Sequence, residues 1–342
     1  MSTDRQAFHG LLRDLPGPSA AATEAARARQ SILTKPPGSL GRLEDVAVWL
    51  AGWQSHERPR LEQVQALVFA GNHGVCARGV SPYPASVTAQ MVATFEAGGA
   101  AISRLTRAYD AALSVIALDL DRPTADFTAA PAMSEAECLD AVRRGVAAVP
   151  ETADLLLLGE MGIGNTTVAA ALCCALFGGA PASWVGPGTG LDDVGMVRKT
   201  ETVAAGIALH RSNLDDPFEV LCRVGGREQA ALVGAILAAR RRSIPVVLDG
   251  FVCCAAAAVV AKLAPAGLAH CLAGHRSAEP AHGRLLEMLG LVPLLDLGMR
   301  LGEASGAAMA LGILRGAVAC HADMATFAQA GIDDRAAAEP AP

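Results

Sequence analysis

Six short apolar runs punctuate the middle of the chain: "ALVFAGNHG" (66 to 74), "LSVIALDLD" (113 to 121), "DLLLLGEMG" (154 to 162), "SWVGPGTG" (183 to 190), "IPVVLDGF" (244 to 251) and "GLAHCLAGH" (267 to 275). Their apolar residues do not alternate with polar ones, so each run reads as a strand buried on both faces. The stretches between them have helical composition, which makes the strands parallel. The expected fold is α/β, a doubly wound, mostly parallel sheet. In such sheets ligands sit outside the carboxyl ends of the strands. The loops "GNHG", "GEMGIGNTT", "GPGTG", "LDGF" and "AGHRSAEP" should therefore line one crevice.

The two ends lack this rhythm. Residues 1–30 and 290–335 read as Gly-interrupted helices forming a small helical domain, with 31–289 as the sheet domain and 336–342 as a flexible tail. "TKPPGSLGRLE" (34 to 44) reads as a Pro/Gly turn into a helix. With 342 residues, 52% of them hydrophobic, the chain can bury a large core. A formal net charge of −6, 4% aromatic residues and no Lys/Arg stripe argue against nucleic acid. "ARRRS" (239 to 243) is expected to be a solvated helix end. The nine cysteines lack CxxC spacing and sit largely in Ala-rich runs, so they read as small reduced core residues of a cytoplasmic protein. No signal-peptide pattern opens the chain, and no segment is expected to reach the ~20 residues of a membrane span.

The third run leads into Gly162, Gly164, Asn165 and Thr166, a glycine turn at a helix start whose free N–H groups would favour an anion. It lacks the Lys-Ser/Thr of a Walker loop and the full GxGxxG of a dinucleotide site. An ordinary strand-to-helix turn with a threonine cap uses the same residues. Glu160 beside it would repel a phosphate, so it better serves the cationic or proton-bearing end of a ligand. It could also cap backbone amides. Glu303, between Gly302 and a run of small residues, is accessible to a ligand. A dry pocket would raise its pKa and suit it to proton transfer, whereas a solvated helix start would not.

Further along, "GPGTGLDD" (186 to 193) brings Gly188 and Thr189 to the crevice. Its Asp192-Asp193 pair follows the glycine loop, unlike the acids of transferases that use phosphoribosyl pyrophosphate, and helix capping is preferred. Lys199 could reach a phosphate or be solvated. His73, Asp249, His275, Arg276, Ser277 and Glu279 also fall at strand ends. The histidines lack HxH or HExxH spacing, and His275 with His282 is a weak pair, so no metal is expected.

Taken in order, "TKPPGSLGRLE", "GNHGV", "GVSPYPASVTAQMV", "LGEMGIGNTT", "VGPGTGLDD", "GGREQAALVG", "HRSAEPAH" and "RLGEASGAAMA" resemble the nicotinate-nucleotide:dimethylbenzimidazole phosphoribosyltransferase family, from about residue 30 to 332. The resemblance implies a Rossmann-like sheet domain with a small helical domain, working as a homodimer without a cofactor. It implies transfer of the phosphoribosyl group of nicotinate mononucleotide to 5,6-dimethylbenzimidazole, giving α-ribazole 5′-phosphate and nicotinate. Glu303 would be the general base, with Glu160 assisting or substituting. The phosphate would sit at the Gly162 turn with help from Lys199. Ser81, Gln90 and Leu301 would line the benzimidazole, and Ser277 and Gly302 would approach the nucleotide. Two other classes fit the crevice: a non-catalytic binder of an azole or its riboside, disfavoured by the presence of Glu303, and an NAD-linked oxidoreductase, disfavoured by the missing GxGxxG.

Overall fold

The structure, a computed structural model, describes residues 3–333. The expected tail, 336–342, lies outside the described residues. The chain divides into two compact units, Met1–Pro16 with Glu62–Leu311, and Gly17–Leu61 with Gly312–Pro342. The division falls elsewhere than at 1–30, 31–289 and 290–335. Near the N-terminus, Phe8 packs at 4.9 Å from Phe218, and Arg5 bonds Glu135 and Asp216 at 2.9 and 2.6 Å. These contacts tie the first residues to the sheet unit. At the other end, a sixth strand keeps residues past 290 in the same unit.

The sheet unit holds β1 (Val64–Ala70), β2 (Ala112–Ala117), β3 (Leu155–Met161), β4 (Val246–Leu248), β5 (Cys271–His275) and β6 (Pro293–Leu295). Their order is β2-β1-β3-β4-β5-β6, and every neighbouring pair is parallel. Two sequence expectations change. "SWVGPGTG" is not a strand but a short 3-10 turn, Pro181–Ser183, followed by a loop. Its apolar residue Trp184 is buried for another reason: its indole N–H donates to the Gly178 carbonyl at 2.8 Å and Arg284 stacks 4.3 Å above the ring. The sixth strand is instead Pro293–Leu295, three residues at the sheet edge, where a proline costs no ladder bond.

Helix packing against the sheet depends on small residues. The Glu135–Ala148 and Arg227–Arg241 helices approach so closely that a Cβ on Gly145 would lie 1.9 Å from the Ala231 carbonyl oxygen, and one on Gly234 2.1 Å from that of Val142. The Arg227–Arg241 helix is buried from Arg227 through Arg240. Arg240 is therefore not a solvated helix-end residue as "ARRRS" suggested. Arg241 next to it donates to the Arg13 carbonyl at 2.9 Å. The Asn165–Phe177 and Phe251–Leu263 helices bury Cys173, Cys174, Cys253 and Cys254 as small core side chains.

In the second unit, the Ala20–Ile32 helix presents Arg29 to the carbonyls of His321 and Ala322 at 2.6 and 2.7 Å. Gln30 donates to His321 Nδ1 at 2.8 Å, leaving the ring's Nε2–H for the Glu57 carbonyl. Among the described residues one helix, Ser305–Asp323, reaches the length and apolarity of a membrane span, with mean hydropathy 1.2, where the sequence reading expected none. Half of it is buried within the protein, as in a core helix.

Because both atoms at the closest helix approach are backbone, neither can move aside. Gly145→Ala should lower stability by about 1–3 kcal/mol, the usual cost of overpacking, seen as a shifted urea midpoint with unchanged slope.

Candidate active site

The end of β3 passes into the glycine turn and the Asn165–Phe177 helix. Gly164, at φ +86°, is the N-cap of that helix and supplies no side-chain cap hydrogen bond. The threonine-capped alternative is thus not what forms. Close approach by the loop after β1 explains both glycines: a Cβ at Gly162 would lie 2.7 Å from the Gly71 carbonyl oxygen, and one at Gly164 2.6 Å from Cys76 Sγ. Ile163 N–H donates to Thr88 Oγ1 at 3.1 Å, and Cys76 Sγ–H donates to the Ile163 carbonyl at 2.9 Å. The turn is therefore braced from outside while its helix end faces a cavity.

Across that cavity Gly302, Glu303 and Ala304 have φ of +87°, +64° and +64°. For the two non-glycine residues this left-handed backbone costs about 1 kcal/mol or more each. Glu303 N–H donates to the Glu160 carbonyl at 3.2 Å. β3 admits this backbone only because residue 159 is glycine, since a Cβ there would stand 2.1 Å from Ala304 N. Asp249, at the end of β4, accepts from Gly306 N and Ala307 N at 2.7 and 3.0 Å through Oδ1.

Three carboxyl groups thus converge in a dry region. Burial, with the charges of Asp249, Glu228 and Glu303, pushes Glu160 well above the usual range, although the Asn165 amide donates to it. Burial raises Glu303 to about 7, and its Oε2 has no partner among the described residues. Burial also raises Asp249 to about 7 against the pull of the amides it accepts. At this pKa a carboxylate can both take and release a proton near neutral pH.

The loop 186–190 closes the other side. Lys199 is fully buried, and its ammonium donates to Thr166 Oγ1 and to the Gly186 carbonyl, both at 2.8 Å. Burial lowers its pKa to about 8, with the charge of Glu279 acting in the opposite sense. Arg300 donates to the Gly188 carbonyl at 2.8 Å, linking this loop to the one carrying Glu303.

Together these elements enclose a cavity of about 610 Å³, counting its open mouth. Glu160, Gly162, Asn165 and Thr166 line one wall, Gly188 and Thr189 a second, and Ser277, Leu301 and Gly302 a third. Glu303, Asp249, Lys199 and Gly164 are not among the lining residues; Glu303 and Asp249 adjoin the lining glycines Gly302 and Gly250 in the chain, Lys199 bonds the lining Thr166, and Gly164 belongs to the glycine turn. Ser81 and Gln90 are not brought to the wall. Ser81 Oγ instead accepts from Tyr83 N–H at 3.2 Å, and Gln90 is exposed. Met161, Ile163, Phe251 and Arg300 also line the cavity, beyond the residues expected from the sequence, and so do the strand-end residues His275 and Glu279. For Arg300 the available signal was its position two residues before Gly302. His282 Nδ1 accepts from Ser277 N–H at 2.9 Å, fixing that loop, and burial holds its pKa down to about 3. Among the described residues no group of three or more His, Cys, Asp or Glu is arranged to hold a metal ion.

A family described as phosphoribosyltransferase matches residues 15–332. The chain is 60% identical over 332 residues to the nicotinate-nucleotide–dimethylbenzimidazole phosphoribosyltransferase of Ruegeria pomeroyi, covering 97% of this chain and 98% of that one. It is also 60% identical over 328 residues to that of Novosphingobium aromaticivorans, covering 96% and 97%. The crystal structure of the enzyme so named from Thermus thermophilus superposes with a TM-score of 0.86 at 40% identity, over 93% of this chain and 100% of that one. With nearly full-length matches in sequence and in fold, the chain belongs to the nicotinate-nucleotide–dimethylbenzimidazole phosphoribosyltransferase family.

Proposed function

We propose that this chain transfers the phosphoribosyl group of nicotinate mononucleotide to 5,6-dimethylbenzimidazole, forming α-ribazole 5′-phosphate and nicotinate for the lower ligand of cobalamin. The observation that carries this reading is an uncapped helix start at the glycine turn on one side of the cavity and, on the other, Gly302, next in the chain to Glu303, whose buried carboxylate oxygen Oε2 has no partner among the described residues. The first suits a phosphate. The second suits a group that loses a proton.

The chemistry divides along that axis. A ring nitrogen of the benzimidazole attacks C1′ while the bond from C1′ to the nicotinate nitrogen breaks, its electron pair neutralising the pyridinium. The leaving group therefore needs no acid. The attacking azole becomes acidic as its new bond forms, and Glu303 takes the N–H proton from its other ring nitrogen. Attack opposite the departing ring converts the β nucleotide to the α product, so the crevice must hold the two bases on opposite sides of the ribose in near-attack geometry. Glu160, whose burial disfavours its charged form, lines the cavity beside the glycine turn and is assigned an assisting role.

At the phosphate end, Gly162, Gly164, Asn165 and Thr166 receive the anion. Lys199 acts from behind by orienting the Thr166 hydroxyl and the Gly186 carbonyl. Gly188, Thr189, Ser277 and Gly302 border the nucleotide, and Leu301 the benzimidazole. We assign Ser81 and Gln90 to the benzimidazole side only on the family resemblance. Leu301 is 56% exposed although it lines the cavity, which supports a homodimer in which a second copy covers the mouth. Nine free cysteines, mostly buried, fit a reducing cytoplasm.

The reading is tested by incubating the chain with nicotinate mononucleotide and 5,6-dimethylbenzimidazole in chelator-treated buffer and detecting products by chromatography and mass. Ribazole phosphate and nicotinate should appear in equal amounts; no product from a folded preparation would sink the assignment. Glu303→Gln should leave nucleotide binding intact and slow turnover by about 100-fold or more, the usual worth of a positioned base. Near-normal turnover would move the base role to Glu160 or to water.

A further inference from the structure

We propose that Asp249 is a positioning residue for the base: its buried carboxylate caps the helix that follows Glu303 and so holds Glu303 in its left-handed turn beside the cavity. This rests on the reading of Glu303 as the base. The helix beginning at Ser305 is preceded by Ala304, which has no side-chain acceptor for the first-turn amides. Asp249 supplies that acceptor from the end of β4, 57 and 58 residues away in sequence, by taking the N–H groups of Gly306 and Ala307. A negative group at this helix end is also favoured by the alignment of the peptide dipoles.

The capped segment is the one whose backbone would otherwise relax. Glu303 and Ala304 are both left-handed, and both are buried. Their N-terminal side is held by the bond from Glu303 N–H to the Glu160 carbonyl, and their C-terminal side by Asp249. Release of either end lets Glu303 return to the ordinary backbone region, which swings its side chain away from the wall formed by Gly302. Asp249 is itself fully buried, and its Oδ2 has no partner among the described residues. His275 Nε2 stands 3.7 Å from Oδ1, beyond hydrogen-bond reach, so backbone amides at this helix start are what fix the carboxylate.

The test compares Asp249→Ala, Asp249→Asn and the double variant Asp249→Ala with Ala304→Gly, in the full-length protein. Asp249→Ala should lower kcat by about 100-fold, as loss of the positioned base does, with KM for nicotinate mononucleotide within about threefold of the parent. It should also speed amide hydrogen exchange at Gly306 and Ala307. Asp249→Asn keeps an acceptor oxygen and should retain kcat within about tenfold. Ala304→Gly removes the penalty of a left-handed Cβ and should restore at least about tenfold of the kcat lost in Asp249→Ala. A merely structural role would not produce that rescue. Faster exchange with unchanged kcat, or no rescue by Ala304→Gly, overturns the proposal. Should Asp249→Ala fail to fold, Asp249→Asn decides alone: a loss of kcat as large as that of Glu303→Gln overturns it, and retained kcat supports it. Near-normal turnover of Glu303→Gln would instead overturn the base reading, whatever the Asp249 variants do.

Discussion

Three successive residues with positive φ, Gly302, Glu303 and Ala304, are the constraint on which the site depends. Only the first is a glycine. The other two are tolerated because the sheet grips the segment on both sides, through the Glu160 carbonyl and the Asp249 carboxylate, and because Gly159 leaves the space a Cβ would take. Strain of this kind persists where surrounding structure over-determines the backbone. Here β3 and β4 do so, and the result is a glutamate presented from a rigid sheet end instead of a free loop.

Electrostatics then divides the cavity. Glu160, Asp249 and Glu303 share a region where burial disfavours their charged forms, which raises all three. The proposed reading puts the phosphate at the helix start and the glycines of the turn, across the cavity from Gly302. Lys199 contributes there from a fully buried position through Thr166 and the Gly186 carbonyl. A mononucleotide with a cationic ring at one end and a phosphate at the other matches this polarity better than a triphosphate or a dinucleotide would.

Much of the fold was legible because buried parallel strands leave an unmistakable pattern: "DLLLLGEMG" and "ALVFAGNHG" could hardly be anything else. "SWVGPGTG" imitated that pattern, yet its apolar content serves a loop in which Trp184 is buried under Arg284. Pro293–Leu295 was too short and too proline-marked to be seen as a strand. At the site, the glycine turn and Glu160 were readable because glycines beside an acid have few structural excuses. The burial of Lys199 and Arg240 was not readable, since long cationic side chains on helices are usually solvated. Nor could the sequence show that Asp249 faces a helix end and not a ligand. That depends on the start of a helix 57 residues later meeting the end of β4.

The central claim is that Glu303 acts as the base, and its most direct test is the pH dependence of kcat at saturating nicotinate mononucleotide and 5,6-dimethylbenzimidazole, in the parent chain and in Glu303→Gln. Burial places this carboxyl at about 7, and only its ionised form can accept the azole proton. Turnover should therefore be level above that region and fall about tenfold per pH unit below it, and this acid limb should vanish in Glu303→Gln. A flat profile in the parent chain, or a limb that survives the substitution, would contradict the account.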